Sequence, residues 1–236
     1  MKSIDVKNLV KVYSNGKTSV TALHGINLQI ESGDFVVLAG TSGSGKSTLL
    51  NIMGSIDEPT SGEVWIDGVR TDDVRERERD KIRRDKIGFI FQSFNLIPVL
   101  TLWQNIELPL FAKKIPKNDR DERIKFFLSE VGLFEMRNRR PDELSGGQRQ
   151  RVSIARALVT KPSIILADEP TANLDVKTTD EIMKLMKGIC KQEKTTFIIS
   201  THDPAVMDCA HRVIRIKDGY IVEDIVKKLD QDDNTV

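Results

Sequence analysis

Five consecutive apolar residues, Phe35-Val36-Val37-Leu38-Ala39, run straight into Gly40-Thr41-Ser42-Gly43-Ser44-Gly45-Lys46-Ser47, and this junction restricts what the chain can fold into more than any other stretch. A run that is apolar at every position has the length and character of a strand covered on both faces. The eight residues after it satisfy G-x-x-x-x-G-K-[ST], in which glycines let backbone N–H groups turn inward around phosphates. Thr48 follows, and Leu49, Leu50, Ile52 and Met53 then repeat at helical spacing, so the loop empties into a helix start with its partial positive charge. In that context Lys46 is placed to reach outer phosphates and Ser47 to offer a Mg²⁺ ligand. The plain alternative is a glycine-rich turn carrying a surface lysine.

The same strand-then-turn order recurs at 87–91, 164–167, 197–200 and 213–216, with helical segments near 177–192 and 203–209. Strands alternating with helices predict a mostly parallel α/β sheet. Ile26, Leu28 and Ile30 alternate with polar neighbours, and 4–13 suits the same half-buried pattern, which predicts a further sheet near the amino terminus. Between about 94 and 159 strand signals stop, Ile124, Phe127, Leu128 and Val131 keep helical spacing, and Pro98, Pro109, Pro116 and Pro141 punctuate. This stretch reads as a helical insertion. The charged stretch 74–86 reads most simply as a solvated helix laced with near-neighbour ion pairs. One domain over 1–225 is expected, its core at 1–93 and 160–225 and its helical part at 94–159, followed by a polar tail over 226–236.

Composition then narrows the function classes. At 236 residues, with 39% hydrophobic and 30% charged residues, the chain has material for a core and a solvated surface, which excludes a disordered or fibrous protein. The 36 Lys and Arg against 35 Asp and Glu leave +1, without the basic excess of a general nucleic-acid binder, so no nucleic-acid partner is expected. Cys190 and Cys209 form no framework, and a reducing cytosol is the expected compartment. No apolar stretch approaches the ~20 residues that cross a bilayer, so service to a membrane process would run through a partner.

A second chemical signal is Ile164-Ile165-Leu166-Ala167-Asp168-Glu169, a buried-strand pattern ending in two carboxylates. A carboxylate at that end of a parallel strand stands near the phosphates and can hold Mg²⁺, the role expected of Asp168. Glu169 is placed to polarise an attacking water as general base. A helix-capping pair before Pro170 is the structural alternative.

Leu144-Ser145-Gly146-Gly147-Gln148, continuing Arg149-Gln150-Arg151-Val152-Ser153-Ile154-Ala155-Arg156-Ala157-Leu158, adds a third. With it the chain resembles, over nearly its whole length, the nucleotide-binding subunit of an ATP-binding cassette (ABC) transporter. The resemblance implies a P-loop NTPase (RecA-like) α/β core with a mostly parallel sheet, an amino-terminal antiparallel β subdomain and an inserted helical subdomain. It implies ATP hydrolysis with Mg²⁺, and a homodimer of cassettes in which Ser145, Gly146, Gly147 and Gln148 face the γ-phosphate of ATP held by the other subunit. A hydroxyl, exposed N–H groups and a helix dipole suit an anion; alone, the segment would be an ordinary helix start capped by Ser145.

By the same resemblance Tyr13 stacks on adenine, Gln92 reaches Mg²⁺ and the water, the Asn173-Leu174-Asp175 loop contacts the opposite subunit, and His202 contacts the γ-phosphate. For Tyr13 a simple strand aromatic is the alternative. His24 and His211 fit no part of the pattern and read as structural. The segment from Phe91 to Thr101, continuing through Asn105-Ile106-Glu107-Leu108-Pro109, is most similar to the macrolide-exporter and lipoprotein-release group, which implies an integral membrane permease partner and a place on the cytoplasmic, inner face of the cell membrane. Phe94, Leu96 and Ile97 suit either a partner helix or packing of the insertion onto the core. A soluble cassette ATPase acting on DNA or ribosomes and a cell-division cassette that signals to wall hydrolases are the rival readings; one cassette without a long heptad run argues against the first.

Overall fold

The computed structural model describes residues 1–16 and 18–227. Two sheets organise it. Strands β1 (Lys2–Ser14), β2 (Ser19–Glu31), β4 (Ser61–Ile66) and β5 (Val69–Arg70) form an antiparallel sheet in the order β2-β1-β4-β5. The second sheet runs β10 (Tyr220–Val226), β9 (Arg212–Lys217), β3 (Phe35–Ala39), β8 (Thr196–Thr201), β7 (Ile164–Asp168), β6 (Ile87–Phe91). All its pairings are parallel except the β9–β10 hairpin.

The all-apolar character of β3 has a direct cause. Its side chains alternate across the sheet, and both sides are covered: Phe35, Val37 and Ala39 join one core, Val36 and Leu38 the other. The second core lies between the two sheets and takes Leu49, Leu50, Ile52 and Met53 from α1 (Lys46–Met53). The first is roofed by α3 (Leu102–Ala112), α4 (Lys117–Glu130), α5 (Gly146–Leu158) and α6 (Val176–Glu193). Each fully buried Leu or Ile in these layers contributes about 1.5–3 kcal/mol.

The expected parallel sheet, amino-terminal antiparallel sheet and helical stretch are all present. Between β6 and β7 only helices occur: α3, α4, two short 3₁₀ turns at Phe134–Met136 and Pro141–Glu143, and α5. Ile124, Phe127, Leu128 and Val131 are buried as their spacing predicts. The charged stretch forms α2 (Glu76–Lys86), which buries no residue and carries the expected ion pairs, among them Arg79 to Glu76 at 2.8 Å. Val74 and Arg75 stay outside it, with Arg75 extended as its cap. The helix expected near 203–209 is the short α7 (Pro204–Asp208), capped by Asp203. The expected tail begins later than 226, because Val226 still pairs with Arg212 in β10; from 228 on it lies outside the described residues.

Candidate active site

The loop between β3 and α1 is shaped by two glycines that admit no side chain. A Cβ on Gly40 would stand 2.3 Å from the Ile216 carbonyl oxygen and 2.6 Å from Ser44 Oγ. Gly45 has φ 107°, and its Cβ would stand 2.9 Å from the Ala22 carbonyl oxygen. The β9–β10 turn braces the loop from outside, since the Gly219 N–H donates to the Ser44 carbonyl at 3.0 Å. Ser44 is buried as part of this wall.

Lys46, only 6% exposed, donates from Nζ to the carbonyls of Gly40 at 2.8 Å and Thr41 at 3.0 Å, so its ammonium is held across the mouth of the loop. It lies 3.8 Å from Glu169 Oε1. Ser47 Oγ donates to Asp168 Oδ1 at 3.0 Å, joining α1 to the end of β7. Ser200, on the neighbouring strand, also donates to Asp168 Oδ1, while its own hydroxyl and carbonyl accept from the Glu169 N–H at 3.1 Å. Glu169 has a left-handed backbone, φ 48°, which a non-glycine residue holds only when its surroundings dictate it. That turn carries its carboxylate to His202, where Oε1 and Nδ1 are 3.0 Å apart.

Ser42, Gly43, Gly45, Lys46, Ser47, Thr48, Gln92, Asp168, Glu169 and His202 share one cavity of ≈ 390 Å³ with Ala22. Gly40 and Thr41 lie behind it, joined to it through Lys46. The oxygen donors gathered there, from Ser47, Asp168 and Gln92, fit Mg²⁺, which takes few protein ligands and completes its shell with phosphate and water. Among the described residues no cluster of three His, Cys, Asp or Glu forms a cage for any other metal.

Nine expected site residues do not line this cavity: Gly40, Thr41 and Ser44 of its own loop, and six placed elsewhere, Tyr13, Ser145, Gly146, Gly147, Gln148 and Asp175. Ser145 caps α5 through a reciprocal pair: its Oγ accepts from the Gln148 N–H at 3.3 Å, and Gln148 Oε1 accepts from the Ser145 N–H at 3.0 Å. Gly146 and Gly147 begin that helix against α6 and its lead-in, where a Cβ on Gly147 would meet Thr178 at 2.5 Å and one on Gly146 would meet Leu174 at 3.5 Å. Asp175 caps α6, accepting from the Thr178 hydroxyl at 2.6 Å and N–H at 3.0 Å, bonds that hold its carboxyl below the usual range. Tyr13 stands near the end of β1, with its hydroxyl donating to Asp57 at 2.7 Å and Lys11 4.7 Å from its ring centre. Burial and the Asp57 carboxylate raise the Tyr13 phenol above its ordinary value.

Ser200 is the participant that motif reading missed. Its signal was a serine directly after the apolar run Phe197-Ile198-Ile199, fully buried in β8. A second cavity of ≈ 420 Å³ opens between the sheet and the helical layer, lined in part by Gly88, Phe91, Asn95 and Arg156 and by Asp80, Arg83 and Arg84 of the solvated helix α2. No helix of the described residues is long and apolar enough to cross a membrane.

Comparison with known proteins agrees with this geometry. A family model described as ABC transporter matches residues 23–172. The uncharacterized ABC transporter ATP-binding protein MJ0796 of Methanocaldococcus jannaschii is 49% identical over 92% of this chain and 94% of its own length. A dimeric structure of MJ0796 in a post-hydrolysis state bound to ADP and Pi superposes with a TM-score of 0.88 at 46% identity, covering 95% of this chain and 99% of that one. The lipoprotein-releasing system ATP-binding protein LolD of Saccharophagus degradans is 41% identical over 91% of this chain and 94% of its own. The macrolide export ATP-binding/permease protein MacB of Syntrophobacter fumaroxidans is 44% identical over 94% of this chain, which spans 31% of that longer protein. Phosphate loop, strand-end carboxylates and helix-capping Ser-Gly-Gly therefore stand in a chain that belongs to the ABC transporter family, as an ATP-hydrolysing cassette.

Proposed function

We propose that this cassette is the motor of an exporter, working as a homodimer that closes over two ATP molecules and drives an integral membrane permease from the cytoplasmic face of the membrane. One observation carries the dimer: the cavity holds one set of phosphate-binding groups, while Ser145, Gly146 and Gly147 begin a helix that lies outside it. A helix start with free N–H groups suits an anion brought by another copy. The dimeric ADP- and Pi-bound relative supports the same arrangement.

In this reading Lys46 and the 40–48 loop bind the phosphates, and Tyr13 takes the adenine on its ring. Ser47, Gln92 and Asp168 would hold Mg²⁺, which when bound neutralises phosphate charge. Glu169 accepts a proton from the attacking water, and His202, bonded to that carboxylate, orients it and faces the γ-phosphate. Hydrolysis removes the phosphate that bridges the two copies, and the dimer opens.

The ≈ 420 Å³ groove beside Phe91 and Asn95 is the proposed seat of a short permease helix. Support for export comes from the relatives whose names describe macrolide export and lipoprotein release, and for a permease partner from the joint ATP-binding/permease chain that this cassette matches in part. The test is affinity purification of tagged Glu169→Gln protein from detergent-solubilised native membranes with ATP and Mg²⁺. A co-purifying protein with few membrane helices and a large external domain is expected. Recovery of a six-helix permease would overturn the export group, and recovery of soluble or nucleic-acid partners alone would overturn transport.

A further inference from the structure

Phe94 and Asn95, just past Gln92, both take left-handed backbone, with φ of 62° and 49°. Asparagine tolerates this; a bulky aromatic does so only where its surroundings over-determine it. Two arginines of α5 supply the constraint. Arg156, in the last turn, donates from Nη2 to the Phe94 carbonyl at 2.8 Å and from Nη1 to the Asn95 carbonyl. Arg149, two turns earlier, sets its guanidinium 5.2 Å from the centre of the Phe94 ring.

Arg156 is half-buried, and burial lowers its affinity for the proton. Among the described residues its recorded polar partners are these two main-chain oxygens, with no carboxylate. A desolvated cation without a counter-ion is a costly way to gain stability alone. The guanidinium fork, however, matches two carbonyls of one turn in a way no apolar side chain can.

We propose that Arg156 is a positioning residue that locks the turn at Phe94 and Asn95 and thereby sets the direction in which Gln92 leaves β6 toward the phosphate cavity. Gln92 is held on its other side by Asn173, whose Nδ2 donates to the Gln92 carbonyl at 3.2 Å. The clamp also lies in the floor of the groove, since Arg156 and Asn95 both line it. Helix α5 has 13 residues, so Ser145 stands at the far end of a rod about 20 Å long. Whatever presses on the groove floor therefore meets one rigid unit that carries both the support of Gln92 and the Ser145 cap.

The inference rests on the reading that Gln92 serves the metal–nucleotide complex, and the test separates the two. In a Glu169→Gln background, where hydrolysis is suppressed, Mn²⁺ binding to the ATP complex is measured by electron paramagnetic resonance beside ATP affinity without metal. Arg156→Gln is expected to weaken Mn²⁺ binding by about tenfold or more, as loss of an outer-shell support does, with metal-free ATP affinity retained. Gln92→Ala should weaken it similarly, and adding Phe94→Gly to Arg156→Gln should restore part of the loss, because glycine takes the left-handed turn without a clamp. A purely structural role would lower the melting temperature and leave metal affinity per folded molecule unchanged; that result overturns the proposal. If Gln92→Ala also leaves metal affinity unchanged, the reading of Gln92 itself falls. Should Arg156→Gln fail to fold, Arg156→Lys, which keeps the charge and one bond, carries the comparison, and parental Mn²⁺ affinity there overturns it equally.

Discussion

Glu169 Oε1 lies 3.0 Å from Nδ1 of His202, a contact made across the ends of two adjacent parallel strands. The left-handed backbone at Glu169 turns its carboxylate toward that partner and toward Lys46. Glu169→Gln keeps the shape and one acceptor while removing the group that takes a proton. Phosphate release is expected to fall by about 10²–10⁴-fold, with ATP binding preserved in a fluorescent-nucleotide titration. Turnover close to the parent's would remove Glu169 from the chemistry.

Ser145→Arg places a long cation at the start of α5, outside the cavity of its own chain. The isolated chain should bind ATP as before and hydrolyse none. Lys46→Ala, by contrast, damages the cavity itself. Mixing the two inactive variants should recover part of the turnover, because a mixed dimer keeps one intact loop facing one intact Ser145. Failure of the mixture to recover activity would contradict a site completed between copies.

Two glycine substitutions should move stability in opposite directions. Gly40→Ala drives a methyl against the Ile216 carbonyl oxygen, a rigid main-chain neighbour, and should cost about 1–3 kcal/mol. Gly188 sits inside α6 with nothing within 4 Å of its added Cβ, so Gly188→Ala should gain about 0.5–1 kcal/mol through reduced unfolded-chain freedom. Urea denaturation of the three proteins measures both, and equal midpoints would refute the steric account of Gly40.

What the sequence made legible is local and punctuated. The glycine-rich loop could be read because glycine, lysine and serine spacing records the backbone shape directly, and Asp168 and Glu169 because they stand at the end of an apolar strand, whereas His202 was marked only by the family resemblance. The unread parts depend on contacts between distant segments. Ser200 is one of three hydroxyl residues in β8, beside Thr196 and Thr201, and only pairing with β7 brings it to Asp168 and Glu169. The left-handed turn at Glu169 has no sequence mark, because the residue is not glycine. Helix α2 is solvated as its charge pattern says, yet the groove it helps to line exists only once α5 is packed beside β6. Strand β10 escaped reading because most of its residues stay exposed, which leaves little alternation to detect.

Asp57 links Tyr13 to a pH response. Burial alone would raise its carboxyl, but hydrogen bonds from Lys11 at 2.7 Å and Tyr13 at 2.7 Å outweigh it and hold the group below the usual carboxylate range. A carboxyl lowered on folding adds stability that is present above its unfolded value, about pH 4, and is lost as pH falls through the folded one. Asp57→Asn should therefore be less stable than the parent at pH 7, with the gap narrowing as the solution is acidified below about pH 4. The same substitution removes the charge and one of the two acceptors that Lys11 and Tyr13 share, which loosens the hold on the Tyr13 hydroxyl, so ATP affinity should weaken while Mg²⁺-ATP turnover at saturation stays near the parent's, the split expected if Asp57 orients a base-binding ring. Urea midpoints across pH test the first arm and steady-state kinetics the second. A stability gap that stays constant into acid would show that the Asp57 charge contributes nothing to the fold, and an unchanged KM would separate Tyr13 from the adenine.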